Sequence, residues 1–321
     1  MGGFTTQTTD HLIRSNLWRA QLKEDFREEL MATKYVNWLS DFPDGDTFNI
    51  PSIGQAEVLD YEEGQAIRYT SMPTGNFTFS ITEYKSSATY ITDKMKQDSM
   101  WSAALEARFV PEMRRALAVT METDVLAIGN SGQTASSLNT INGGDHRIVA
   151  SGTGETMSPV DFAKAKYALQ MANVPMTNLV AIVDPTVEYT LSTQTNLVNL
   201  INNPMWEGIV RTGASSGMRF LFNIYGFDVY TSHFLPSSIS ETISGTNGGT
   251  VTAGVANYFF SAAGGETSPF IGAVRQEPNV ESERNKDLQR DEYVVTTRYG
   301  FGFYRPENLV TVLTDTDAVF S

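Results

Sequence analysis

Residues 93–128, DKMKQDSMWSAALEARFVPEMRRALAVTMETDVLAI, carry the longest helical pattern of the 321-residue chain. Asp93 is placed to cap a short first piece, because a carboxylate accepts from the free amides of a helix start. Proline lacks the backbone donor and its ring crowds the preceding turn, so a kink or a restart is expected at Pro111. Beyond it Met113, Leu117, Met121 and Val125 recur every four residues as one apolar stripe. Arg114, Arg115, Glu122 and Asp124 fall elsewhere on the wheel, and Gly129-Asn130 supplies the stop. The methionines read as core filler, the usual role of a flexible thioether.

What flanks the helix decides its use. Upstream, residues 47–91 read as a strand ribbon whose short runs are broken by Pro51, Gly54, Gly64 and Pro73. Phe77, Phe79 and Ile81 alternate with Thr78, Ser80 and Thr82, one side apolar and the other polar. A two-stranded ribbon is marginal alone in water, so that apolar side needs a partner, expected to be another subunit. Downstream, Tyr293–Val312 (YVVTTRYGFGFYRPENLVTV) reads as strand, glycine break, strand. Val294, Tyr299, Phe301 and Phe303 are expected to offer the helix stripe a flat apolar surface.

At the N-terminal end, Leu22, Phe26 and Leu30 form an apolar stripe opposite Lys23, Glu24, Arg27 and Glu28. This helix lies either on its own domain or, as an arm, on a neighbour. Phe42-Pro43-Asp44-Gly45-Asp46 ends it. In the middle of the chain, Ser158-Pro159 with Asp161 makes a helix start. Leu179–Val183 is a buried-type strand, Asp184-Pro185 opens another helix, and residues 226–235 are a strand. Residues 237–254 read as a polar loop, followed by strands at Tyr258–Ala263 and Pro269–Val274. The order predicts a mixed α/β unit. The dense charges of 281–292 (ESERNKDLQRDE) read as a solvated helix or turn, or as an intersubunit charge patch.

Composition excludes several classes. Hydrophobic content of 41% and charged content of 19% are those of a folded chain. A net charge of -14 disfavours free binding to nucleic acid or to an anionic membrane. Without cysteine there is no disulfide and no thiolate metal site. No apolar run of about 18 residues is present, and the N-terminus lacks the pattern of a secretory signal. No P-loop, GxGxxG after a strand, HExxH or GxSxG occurs. His11, His146 and His233 are far apart, and Asp93 and Asp98 share no helical face. No catalytic, cofactor-binding or metal residues are therefore expected, and the chain is read as a non-enzyme. The alternative from another class is a hydrolase whose carboxylates converge only in the fold.

Four segments in order resemble the major capsid proteins of tailed bacteriophages, the HK97-fold family. They are Tyr90–Asp93 leading into the helix that ends Asp124–Ala127, then Leu179–Pro185 (LVAIVDP), Gly226–Pro236 (GFDVYTSHFLP), and Asp287–Val312 with Gly302, Arg305 and Pro306. The resemblance implies an α+β, HK97-like fold. Its parts would be an N-terminal arm (1–46), an extended β-hairpin loop (47–91), a peripheral domain with the long spine helix (92–129 and 281–321) and an axial domain (130–280). It implies a structural capsid protein, most similar to those of short-tailed phages, that self-assembles into hexamers and pentamers of an icosahedral shell around double-stranded DNA. The implied partners are copies of itself, a separate scaffolding protein, a portal protein and a cement protein. DNA would be held without sequence-specific binding, and no membrane is involved. The subunit would be made in the bacterial cytoplasm and end in the virion. Phe77, Phe79, Ile81, Leu22, Phe26 and Leu30 are the intersubunit contact candidates. Some members of that family crosslink through Lys and Asn, and Lys85 in the extended loop is a candidate donor with nothing to favour it. The runner-up within the fold is an encapsulin-type compartment shell.

Overall fold

The computed structural model describes residues 30, 32–40, 47–54, 56–60, 63–64, 66, 71–72, 74–98, 102–133, 139–193 and 220–316. A 3-10 turn at Ala32–Tyr35 leads into β1 (Val36–Leu39), followed by β2 (Thr47–Ile53), β3 (Thr74–Ser80) and β4 (Glu83–Thr92). Helices α1 (Asp93–Asp98) and α2 (Ser102–Gly132) come next. Three short strands follow, β5 (Thr140–Ile141), β6 (Gly144–Asp145) and β7 (Arg147–Val149), then α3 (Pro159–Met171), β8 (Leu179–Val183) and α4 (Pro185–Thr193). The remainder is β-rich: β9 (Phe220–Ile224), β10 (Phe227–Thr231), β11 (Ile239–Ile243), β12 (Gly249–Ser261), β13 (Phe270–Asn285), β14 (Arg290–Phe303) and β15 (Val310–Asp315).

Two sheets organise the body. A four-stranded sheet has the order β1-β13-β14-β4. A seven-stranded sheet has the order β7-β15-β12-β8-β10-β9, with β11 paired to β12. In β8 every residue is buried, because alternate side chains enter two different cores. Leu179, Ala181 and Val183 pack with Phe162 and Leu169 of α3 and Val187 and Leu191 of α4. Val180 and Ile182 pack on the other side with Tyr258, Phe260 and the α2 residues Val125 and Leu126. At the start of α3, Ser158 and Asp161 form a capping box with proline in the first turn. Asp161 also accepts from the Ser151 amide at 3.0 Å.

Helix α2 runs through Pro111 as one element rather than restarting there. Its first half lies on the four-stranded sheet, where Met113 and Leu117 pack on Val295, Val280 and Tyr293. The expected stripe does not continue straight. At 3.6 residues per turn, a step of four drifts by about 40°, so Met121 has turned to a half-buried position. Val125, Leu126 and Gly129 take over as α2 passes between the two sheets. Gly129 does not stop the helix: a Cβ there would lie 3.1 Å from the Tyr258 ring and 3.2 Å from Phe270.

The surface offered to the helix also differs by one residue from the expectation. Val295, Thr297 and Tyr299 of β14 are buried, while Val294 pairs with Ala88 and Glu281 on the opposite face. Successive strand residues point to opposite faces, so Val294 cannot accompany Tyr299. The expected glycine break is absent, and β14 continues through Gly300 and Gly302. Residues 237–254 form the β11–β12 hairpin rather than a loop. The 281–292 segment is the end of the β13–β14 hairpin, so of the two expected forms it is the turn, at residues 286–289, and not the helix. Strand pairing crosses the expected domain lines at two places: β13 joins the four-stranded sheet from Phe270 onward, and β15 lies between β7 and β12.

The ribbon β2–β3 pairs Phe48 with Phe79 and Ile50 with Phe77. Its base seats on the face of the four-stranded sheet that carries Ile271 and Ala273. Phe79 and Ile81 are buried there within their own chain, and Phe77 packs against them. Phe79 and Ile81 are thus covered by their own chain and not, as the sequence leads one to expect, by another subunit, while Phe77 stays half-buried. The local core that covers them comes from distant strands and cannot be seen in the ribbon's own sequence.

Candidate functional site

The ribbon's far end is the exposed part. Ile53 is 74% exposed, Val58 94% and Met72 53%, with Leu59 also open to solvent. Glu57, Asp60 and Glu63 beside them are exposed as well. These large apolar side chains leave the ribbon end with an apolar surface open to solvent. Of the arm candidates, Leu30 is half-buried, and Leu22 and Phe26 lie outside the described residues.

The β13–β14 hairpin end is tied to its own chain. Arg284 Nη2 donates to Asp93 Oδ2 at 2.7 Å, and Lys96 pairs with Asp291. Arg290 Nε donates to Glu292 at 2.6 Å while its guanidinium lies 4.5 Å from the Tyr90 ring centre. The bond from Lys96, aided by Arg284, holds the Asp291 carboxyl below the usual range. Asn285 Oδ1 accepts from the amides of Asp287 and Leu288, which closes the turn. These charges thus fasten the hairpin to α1, and Leu288 is left exposed at the tip.

The titratable groups singled out in the sequence do not converge. Asp93 serves Arg284, and Asp98 is exposed. His146 is fully buried, with Nδ1 3.0 Å from the Gly144 carbonyl and Nε2 3.1 Å from that of Glu307. Burial pushes its pKa down, opposed by those carbonyls. His11 lies outside the described residues. Lys85 sits on β4, 2.6 Å from Glu83 and 4.0 Å from Asp124. The Glu83 bond raises its pKa. Tyr299 donates to Asp124 Oδ2 at 2.6 Å, and burial, with that carboxylate, raises its pKa. Among the described residues no group of three metal-ligating side chains occurs, and no helix is long and apolar enough to cross a membrane. A cleft of about 270 Å³ beside Lys34 and Tyr35 is lined mainly by apolar and small residues, including Val36, Phe260 and Gly265.

Sequence reading missed the groups that lock α2 to its surroundings. Glu122 is fully buried and accepts from the Ala32 and Thr33 amides at 2.6 and 3.1 Å. Gln133 donates to the Leu309 carbonyl at 2.6 Å and accepts from Thr311 at 2.7 Å. Arg147 donates to Glu241 and to Asn130 at the helix end. A signal for Glu122 existed: Leu126 and Gly129 at i+4 and i+7 place it on a second apolar row.

The body thus combines two sheets around a long helix, an exposed apolar ribbon end and charged groups engaged within the chain. The sequence profile of a family described as "Phage capsid protein" matches residues 76–312. The chain belongs to this phage capsid protein family. A comparison with curated proteins finds no match. Among solved structures, the capsid structure of the cyanophage P-SCSP1u is similar at 16% identity, covering 95% of this chain and 93% of that one, with a TM-score of 0.72. The cyanophage Pam1 capsid is similar at 13% identity, covering 98% and 99%, also with a TM-score of 0.72. A chain of Mycobacterium phage Che8 is similar at 17% identity, covering 94% and 97%, with a TM-score of 0.68. The fold is HK97-like, and the chain is a structural protein of the virion that associates with itself in the capsid shell.

Proposed function

We propose that this subunit forms the hexamers and pentamers of an icosahedral shell that encloses double-stranded DNA, and that it has no catalytic role. The observation that carries this reading is the ribbon end, where Ile53 at the close of β2 and Val58 and Met72 in the connection beyond it stand exposed while the base of the strand pair is already seated. In the proposed arrangement these residues and Leu59 lie on a neighbouring copy, and the Leu22, Phe26 and Leu30 stripe of the arm reaches another. The four-stranded sheet with α2 is the peripheral domain, and the seven-stranded sheet with α3 and α4 is the axial domain, residues 270–303 and 310–315 being assigned by their pairing. Scaffolding, portal and cement proteins are the proposed partners, and synthesis takes place in the bacterial cytoplasm. A net charge of -14 fits a wall that confines DNA without gripping it.

Oxidative footprinting of Met72 tests this reading, since an exposed thioether oxidises readily. Met72 should be labelled in isolated subunits and protected in assembled particles. Equal labelling in both states would remove the ribbon end from the subunit interface.

A further inference from the structure

Glu122 is a carboxylate with no exposure, set on α2 beside the apolar cluster of Ala32, Val36, Val125 and Leu126. Burying a carboxylate is costly unless hydrogen bonds replace its water, and a well-packed apolar side chain would fill the space at less cost. What an apolar side chain cannot do is accept hydrogen bonds. Oε1 takes the Ala32 amide at 2.6 Å and Oε2 takes the Thr33 amide at 3.1 Å. Both amides belong to the start of the 3-10 turn, where the turn itself supplies no acceptor. Directly after that turn the chain enters the four-stranded sheet, with Val36 opposite Phe270. The turn is braced again where Trp38 Nε1 donates to the Thr33 carbonyl at 3.2 Å and Ser268 donates to the Tyr35 carbonyl. The start of the turn is therefore fixed to the long helix by a side chain that lies 90 residues away in sequence.

We propose that Glu122 is the arm-positioning residue: its carboxylate latches the start of the 3-10 turn and so sets the direction in which the segment before Ala32 reaches a neighbouring copy. The proposal rests on the shell reading above. Glutamine has the same shape but one acceptor, and its amide nitrogen would face a backbone N–H. In Glu122→Gln the Ala32 and Thr33 amides should exchange hydrogen about tenfold faster or more, because charge-assisted bonds are among the strongest available. Exchange at Val295 and Thr297 of β14, and the melting temperature of the subunit, should stay near wild type. Particles should then form in lower yield or at altered size. A latch that only stabilised the subunit would not change particles while leaving the melting temperature alone.

Unchanged exchange at Ala32 and Thr33 would overturn the latch. Faster exchange with particles of wild-type yield and size would overturn the positioning role. Failure of the wild-type chain itself to form particles would overturn positioning together with the shell reading, which sets that outcome apart from the first two. Should Glu122→Gln fail to fold, Glu122→Asp keeps the charge but withdraws the carboxylate by one methylene, and the same three readouts apply.

Discussion

Gly300→Ala should unseat the ribbon from the body. A Cβ at Gly300 would stand 2.7 Å from the Ser80 carbonyl oxygen and 2.8 Å from the Ile81 Cα. Both are backbone atoms and cannot swing aside. Ordinary contact begins near 3.4 Å, so the ribbon base must retreat by about 0.7 Å. A gap of that order forfeits roughly a quarter to a half of the dispersion energy between the facing atoms. Ile81 and Phe79, now 2% and 7% exposed, lose contact with Ile271 and Ala273 together. Overpacking of this kind costs about 1–3 kcal/mol. Against it stands about 0.4–1 kcal/mol from the reduced freedom of the unfolded chain. The clash wins, leaving a net loss of about 1–2 kcal/mol. Gly265→Ala is the control, because its Cβ meets only the movable Asn37 amide at 3.3 Å, and it should stay within about 0.5 kcal/mol of wild type. Denaturant unfolding of unassembled subunits measures both variants, and proteolysis within residues 54–73 should accelerate only in Gly300→Ala. If the two variants unfold at the same denaturant concentration, the ribbon base is not seated on β14 as described.

The remaining expectations follow the same logic. Leu117→Ala empties a site that is 4% exposed between Met113 and Val295, and should cost about 2–5 kcal/mol in denaturant unfolding, with fewer assembled particles. Burial holds His146 below its ordinary pKa, so the folded chain binds that proton less readily than the unfolded chain. Its contribution is fully present above the unfolded value of about 6.5 and is lost as pH falls below it. His146→Gln should therefore weaken the acid sensitivity of the melting temperature below about pH 6.5, and an unchanged pH profile would count against this. Ile53→Ser combined with Val58→Ser removes apolar surface that the subunit does not bury, so unfolding should shift by less than about 0.5 kcal/mol while particle yield falls.

Much of the architecture was legible because local chemistry was strong. Ser158-Pro159 with Asp161 fixed the start of α3, and the unbroken LVAIV run marked a strand buried on both faces. The ordering of ribbon, long helix and closing strands was legible for the same reason. Errors arose where a residue's role depends on a distant neighbour. Gly129, Gly300 and Gly302 resemble stops in sequence, yet they provide clearance for Tyr258, Phe270 and the ribbon base. Phe79 and Ile81 resemble an uncovered face because Ile271 and Ala273 are nearly 200 positions away. The stripe on α2 could not be extended by counting in fours, because the helix changes partners along its length. Glu122 shares its row with Leu126 and Gly129, which hints at burial, but the amides of Ala32 and Thr33 that it holds are about 90 positions away and leave no local trace.

Light scattering on the purified 321-residue chain, concentrated under conditions that favour association, tests the central claim most directly. A shell subunit should pass from free subunits to closed particles in the megadalton range, with little in between. A monomer or small oligomer of fixed mass at every concentration, with or without a co-expressed scaffolding protein, would contradict the account.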